Sequence, residues 1–395
     1  MIDVVGNRHG LSGFFISGML LSFLGAILPA WRHHIDTGFS LIGYYFLALN
    51  LGILIAVRCS YALLPRKGVG FVLGIGSLLA CIAFLCLAVV SSPALIVWRY
   101  PGLILLGGSA GFLNSAVFHA ISPLYKQDPA STVNLGGILF GLGCVAMALL
   151  VAGTFFVYTV PSILILLATI PGLFAISYAR GKFAPPEAMV DRPLREVLKD
   201  FRNPAAVMFS LLLFFQFGNE WALAGWLPIF LIRRLGISPE TSLTMLALYW
   251  AALLVGRILA QVVLGRVGHT RLLSSSALAA VFGCTILSLT AGSFGACVGI
   301  VLVGFGFASI YPIVAEKIGH RFTYYHPGFY NGIFSLAVTG GLLAPWTIGY
   351  FAEAWGIQAI MVVPLLGTVM VVLLVVLITL ETKFSGNLRR RAGAV

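Results

Sequence analysis

Apolar runs of about twenty residues follow one another along almost the whole chain. Only one long polar stretch interrupts them, "YARGKFAPPEAMVDRPLREVLKDFRNP", Tyr178–Pro204. A helix of that length matches the hydrocarbon core of a bilayer, about 30 Å thick. Backbone groups in lipid must be satisfied internally, which leaves helices or closed barrels. The runs do not alternate, so the pattern is that of helices. Composition agrees: 60% of residues are hydrophobic and 9% charged, where a soluble chain would carry about a quarter charged. The sequence predicts an all-α membrane protein with twelve spans, near 11–30, 39–57, 69–90, 97–121, 132–154, 156–178, 204–232, 240–264, 272–291, 294–317, 329–352 and 356–379.

The polar stretch divides these spans into six and six. The predicted organisation is a first bundle over 1–178, a cytoplasmic central loop over 179–203, a second bundle over 204–380 and a basic tail over 381–395. Within the loop, "PLREVLKDF" (Pro193–Phe201) suits a short amphipathic helix on the membrane surface. No cleavable leader is expected. Arg8 and His9 precede the first run, but that run is as long as a span and no small-residue cleavage site ends it.

The formal net charge of +12 follows from topology. With the N-terminus in the cytoplasm, the segments on that side hold Arg8, Arg58, Arg66, Lys67, Lys126, the basic residues of the central loop, Arg257, Arg266, Arg271, Lys317, Arg321, Lys383 and Arg389–Arg391. Only Arg32, Arg99, Arg233 and Arg234 fall toward the other side. The positive-inside rule therefore predicts both termini in the cytoplasm, in a bacterial-type inner membrane or a plasma membrane. The Arg389–Arg391 tail is expected among anionic headgroups, with membrane lipids as its partner. Nucleic acid is not an expected partner, because no aromatic-rich soluble module accompanies the basic residues.

A repeat runs through the chain at an offset near 200 residues. "FFISGMLLSFLGAILP" begins at Phe14 and "FFQFGNEWALAGWLP" at Phe214. Both read FF-x-x-G, a second Gly seven residues after the first, then Leu-Pro; "GFS" (Gly38–Ser40) and "GIS" (Gly236–Ser238) follow. Arg58 matches Arg257, and Lys67 matches Arg266. "GSAGFLNSAVFHAISP" (Gly108–Pro123) parallels "GFGFASIYPIVAEKIG" (Gly304–Gly319), and Asn134 and Asn331 open Gly-rich helices after them. Two parallel six-helix repeats are the pattern of transporters that work by alternating access around a midplane site.

Twelve spans as six plus six, with a charged central loop, resemble the major facilitator superfamily. Within it the chain is similar to the fucose–galactose–glucose:proton symporter family and the sodium–glucose transporter-like branch. The likeness is carried by Phe217–Ser238, with its Gly-x-Glu and Trp-Leu pattern, by Gly304–Gly319 and by Gly107–Gly143. The resemblance implies secondary active or facilitative transport of a small polar solute, foremost a monosaccharide, with H+ or Na+ as the co-transported ion in a symport. It implies a monomer. Two departures stand out. "RCSYALLPRKGVG" (Arg58 to Gly70) lacks the Asp of the superfamily pattern between spans two and three. Proton symporters of the family carry acids in helices one and four, whereas here span one has none and span four offers Asn114 and His119. The resemblance therefore supports sugar transport better than proton coupling.

Of the twelve acidic residues, Glu220 alone lies deep in a span, opposite Leu20 in the repeat. An intramembrane carboxylate is costly and reads by default as functional; a proton-coupling role and a structural role holding helices both remain open. Gln216 lies four residues before it on the same helical face. Asn219 and Gln216 supply amides that bind hydroxyls. Trp226 supplies either a ring for the apolar face of a sugar or an interfacial anchor. Asn114, Tyr311 and Asn331 are the further substrate-binding candidates, with Asn50 beside them as a polar residue of span two, and His119 is a candidate proton relay or a hydrogen-bonded core group. Pro312 after Tyr311 frees a carbonyl one turn back. Asn331 and Trp346 read either as contributors to the site or as interhelical glue or packing. Arg99 is expected to snorkel or to pair with Asp36 as an outer gate, while Arg58, Arg257 and Arg266 are expected to cap helix ends on the inner side.

No cofactor, metal or catalysis is expected: there is no phosphate-binding Gly-rich loop, nucleophile elbow or metal-binding His pair, and His33–His34 are unpatterned. Cys59, Cys81, Cys86, Cys144, Cys284 and Cys297 lie within or at the ends of apolar runs and read as small hydrophobes. Two rival functions keep the same fold: an exporter of amphipathic drugs or metabolites, which the 29 Phe would suit, and a nontransporting sensor or membrane enzyme.

Overall fold

The structure, a computed structural model of the chain, describes residues 2–34, 38–91, 93–127, 129–185, 203–322 and 327–392. Among them every regular element is helical. The helices are α1 (Ile2–His34), α2 (Phe39–Lys67), α3 (Val69–Val89), α4 (Arg99–Ala120), a short α5 (Ser122–Gln127), α6 (Pro129–Thr154), α7 (Val160–Arg180), α8 (Pro204–Leu235), α9 (Pro239–Val267), α10 (His269–Leu289), α11 (Ser293–Arg321), α12 (Pro327–Trp355) and α13 (Ala359–Ala392). A 3-10 turn, Pro93–Trp98, leads into α4. Among the described residues, eleven helices are long and apolar enough to cross a membrane. The predicted span 329–352 falls inside α12, a continuous helix of 29 residues. The predicted helix Pro193–Phe201, Asp36 and the side chains of Asn331 and Arg389–Arg391 lie outside the described residues.

The chain divides into two compact units. One comprises Met1–Val190 with Leu227–Ala251, the other Asp191–Trp226 with Ala252–Val395. In the first, α1 packs on α6, α2 and α3 on α4, and α3 on α7. In the second, α10 packs on α11 and α13, and α12 on α13.

The sequence repeat is a repeat of contacts. A Cβ placed on Gly18 in α1 would meet the Phe140 carbonyl of α6, and one on Gly143 would meet the Phe15 carbonyl. In the second unit a Cβ on Gly340 of α12 would meet the Phe214 carbonyl of α8. The FF-x-x-G motif is thus where two backbones touch, once per repeat, with small residues permitting the approach. The Ser109 hydroxyl donates to the Gly76 carbonyl at 2.7 Å, and two hundred residues on Ser309 donates to Ser276 at 2.6 Å. The α2–α3 and α9–α10 turns also correspond. Gly68 and Gly268 adopt φ of 84° and 81°, and their amides bond the carbonyls of Leu64 and Leu264, both at 3.0 Å. A single left-handed residue reverses the chain there, which is why each turn has a glycine.

Outward faces carry large apolar side chains, among them Leu54, Leu78, Leu173, Phe282 and Leu366. In water such faces would aggregate; in lipid they are the solvated surface.

Candidate functional site

The second unit gathers charge and amides around one carboxylate. Glu220 lies on α8, 8% exposed. Its two oxygens have separate partners. Gln216, one turn earlier on the same helix, donates from Nε2 to Oε1 at 2.9 Å. Arg257 of α9 approaches Oε2 with Nη2 at 3.8 Å. Tyr311 of α11 lies within electrostatic reach of both Glu220 and Arg257, and its ring meets Phe217 edge-to-face at 5.2 Å. A buried charge persists when paired and hydrogen-bonded, and this carboxylate is both.

Some polar atoms of the cluster have no hydrogen-bond partner among the described residues. Gln216 is fully buried, and its Oε1 accepts nothing. Arg257 Nε and Asn219 Nδ2 donate to nothing. Asn219 itself packs against α13, where a Cβ on Gly367 would run into its Oδ1.

Arg257 departs from the helix-capping place expected for it together with Arg58 and Arg266. Arg58 is exposed on α2, but Arg257 lies ten residues before the end of α9 and turns inward to Glu220. A signal was available. Glu220 stands 15 residues before the end of α8 and Arg257 18 residues after the start of α9. At 1.5 Å per residue the two sit about 22 and 27 Å from the same turn, so opposite charges on consecutive spans come level. Arg266 is exposed in the last turn of α9, where capping suits it.

Trp226 is fully buried, and its indole N–H donates to the Pro345 carbonyl of α12 at 2.8 Å. The interfacial anchor is therefore replaced by a pin between two helices of the second unit. Trp346 meets Tyr350 edge-to-face at 5.6 Å.

In the first unit, Asn114 of α4 is half-buried, and its Oδ1 accepts from Ser17 of α1 at 2.6 Å. His119 lies in the last turn of α4, a helix end rather than mid-span. Asn50 is buried on α2. Arg99 does not snorkel. It is 1% exposed, stacks over the Trp31 ring with its guanidinium carbon 4.7 Å from the centroid, and donates to the Ser91 carbonyl at 3.1 Å and the Tyr45 hydroxyl at 3.4 Å. An aromatic face and a free carbonyl at the turn before α4 hold it more favourably than a stretch to water would. Its proposed partner Asp36 lies outside the described residues.

Among the described residues no group of three or more His, Cys, Asp or Glu is placed to hold a metal ion. Among the described residues none of the six cysteines is joined in a disulfide.

The sequence profile described as Major Facilitator Superfamily matches residues 130–339 and 209–394. An uncharacterised MFS-type transporter of Yersinia pestis is 21% identical over 342 residues, covering 86% of this chain and 87% of that one. A protein of Helicobacter pylori described as a candidate glucose/galactose transporter is 26% identical over 149 residues, covering 37% of this chain and 35% of that one. Among solved structures, the nucleoside transporter NupG superposes with a TM-score of 0.72 at 12% identity, covering 95% and 99% of the two chains. The D-xylose-proton symporter gives 0.71 at 14% identity over 92% and 96%. FucP in its outward conformation gives 0.62 at 15% identity over 95% and 99%. At these identities the superpositions show the fold.

Proposed function

The chain belongs to the Major Facilitator Superfamily, and from that premise we propose that it transports a small neutral polyol, foremost a monosaccharide, by alternating access with Glu220 as the coupling group. It is a multi-pass membrane transporter and not an enzyme. The solute reading rests on one observation: beside Glu220, the buried Gln216 Oε1 has no donor and Arg257 Nε no acceptor among the described residues. Buried polar atoms are paired in the great majority of cases, so exceptions call for an explanation. A hydroxyl group donates and accepts at once and satisfies both kinds. A lipophilic cation brings no acceptor for Arg257. Relatives named for glucose, galactose and xylose agree with this choice.

In this reading Glu220 exchanges partners. With the carboxylate charged, Arg257 holds one oxygen and Gln216 the other. A proton on Glu220 removes the attraction to the guanidinium, and Arg257 turns its donors to solute hydroxyls. Tyr311 contributes a further hydroxyl beside the pair, and Asn219, Asn114 and Asn331 are the remaining polar contributors proposed. His119, in the last turn of α4, is a second proton group.

Counterflow in proteoliposomes tests the solute class. Vesicles loaded with glucose, galactose, fucose, mannose or xylose are assayed for uptake of the same labelled sugar, with a lipophilic cation as comparison. The expected result is uptake of at least one sugar, reduced tenfold or more by Gln216→Ala, the cost of about 1.4 kcal/mol for a lost hydrogen bond. Uptake of the cation and of no sugar would overturn the assignment.

A further inference from the structure

A concavity lies in the first unit, at the basic end of α3 and α7. It is a groove of about 750 Å³, within the range of about 300–1,000 Å³ that holds small ligands. Its walls are mostly apolar. Phe71, Ile75 and Leu78 of α3 and Ala175 and Ile176 of α7 line it, together with Phe183, Pro185 and the exposed Lys67. Phe71, Leu78 and Ile176 are about half exposed, so the groove opens outward on the apolar surface of the unit.

The groove is preformed. Its Tyr178 wall is fixed by the Ser12 hydroxyl at 2.9 Å, while the adjacent Ser177 meets His9 Nε2 at 3.0 Å. Phe183 lies across Gly70 and Gly181, where an added Cβ would come within 2.8 and 2.9 Å of its ring. At Gly74 the helices stand apart: a Cβ there would find no atom nearer than 3.9 Å.

Among the described residues that form it, the rim is cationic. Arg66, Lys67, Arg180 and Lys182 are all exposed, and residues 58–91 and 160–185 contain no acid. Apolar walls open to the membrane, with a positive mouth at the headgroup end, complement one class of molecule. We propose that this groove binds an anionic phospholipid, with the headgroup phosphate on Lys67 and the neighbouring basic residues and an acyl chain along Phe71, Ile75, Leu78 and Ile176. Basic pockets between helices are sites of this kind, and the positive-inside rule puts this rim at the leaflet where anionic lipids reside.

Native mass spectrometry of the full chain released from detergent, with phosphatidylglycerol or phosphatidylcholine of identical acyl chains, tests the proposal. Wild type is expected to retain phosphatidylglycerol about fivefold better, the weight of one basic residue at an anionic surface. Lys67→Gln removes that preference, and Gly74→Leu, which fills the floor without touching a charge, lowers retention of both lipids. Lys67 is exposed and a Cβ on Gly74 meets no atom nearer than 3.9 Å, so both variants are expected to fold, which size-exclusion profiles check. Equal retention of the two lipids by wild type, or retention unchanged by both substitutions, would overturn the proposal.

Discussion

At the scale of residues, the pairing of Glu220 with Arg257 decides most. Both side chains are largely buried, 11% and 22% exposed. Removing one partner of such a pair leaves the other uncompensated, at a cost of about 3–5 kcal/mol, whereas removing both costs less than the sum. Glu220→Gln and Arg257→Gln are therefore each expected to lower the melting temperature of the purified protein by more than the double variant does, and additive losses would show that the pair is not coupled. Arg99 makes a second case. Arg99→Lys keeps the charge but loses the flat stack on Trp31 and the fork to Ser91 and Tyr45, so a loss of about 1–2 kcal/mol is expected in denaturant unfolding. Glu220 was legible as exceptional because lipid makes any lone acid conspicuous. Its partner was not, because basic residues also mark topology, and Arg257 read as one more inner-side cation.

At the scale of elements, the contacts that join the helices are glycine against carbonyl. Gly340 has no space for a side chain above Phe214, nor Gly107 above Leu49. Gly340→Leu should force α8 and α12 apart and reduce the yield of folded protein, measured by size-exclusion profile, by a destabilisation of about 1–3 kcal/mol or more. Gly137, on the same helix as Gly143, has nothing within 4 Å of an added Cβ. Gly137→Ala is expected to be neutral or to stabilise by about 0.5–1 kcal/mol. Equal effects of the two would contradict the packing described. The helices were legible from apolar length alone, and the repeat from FF-x-x-G. Their ends were less so: α1 begins at Ile2 and α13 runs to Ala392, well past the apolar runs. A helix continues into polar surroundings wherever propensity allows, while a hydropathy pattern records only the part in lipid.

At the scale of the whole molecule, the positive-inside count predicts an orientation that labelling can check. In a cysteine-free background, Ser238→Cys before α9 should react with an impermeant maleimide added to intact cells, and Thr270→Cys at the start of α10 only after permeabilisation; the reverse pattern would invert the topology. Substrate and coupling belong to this scale too, because the family and fold leave both open and only the Glu220 cluster speaks to them. The most direct test is accumulation of the transported sugar in proteoliposomes under an inward proton gradient, comparing wild type with Glu220→Gln. With Glu220 as the coupling group, wild type is expected to concentrate the sugar above its equilibrium level, while Glu220→Gln still exchanges it but no longer responds to the gradient. Gradient-driven accumulation by Glu220→Gln equal to that of wild type would contradict Glu220 as the coupling group.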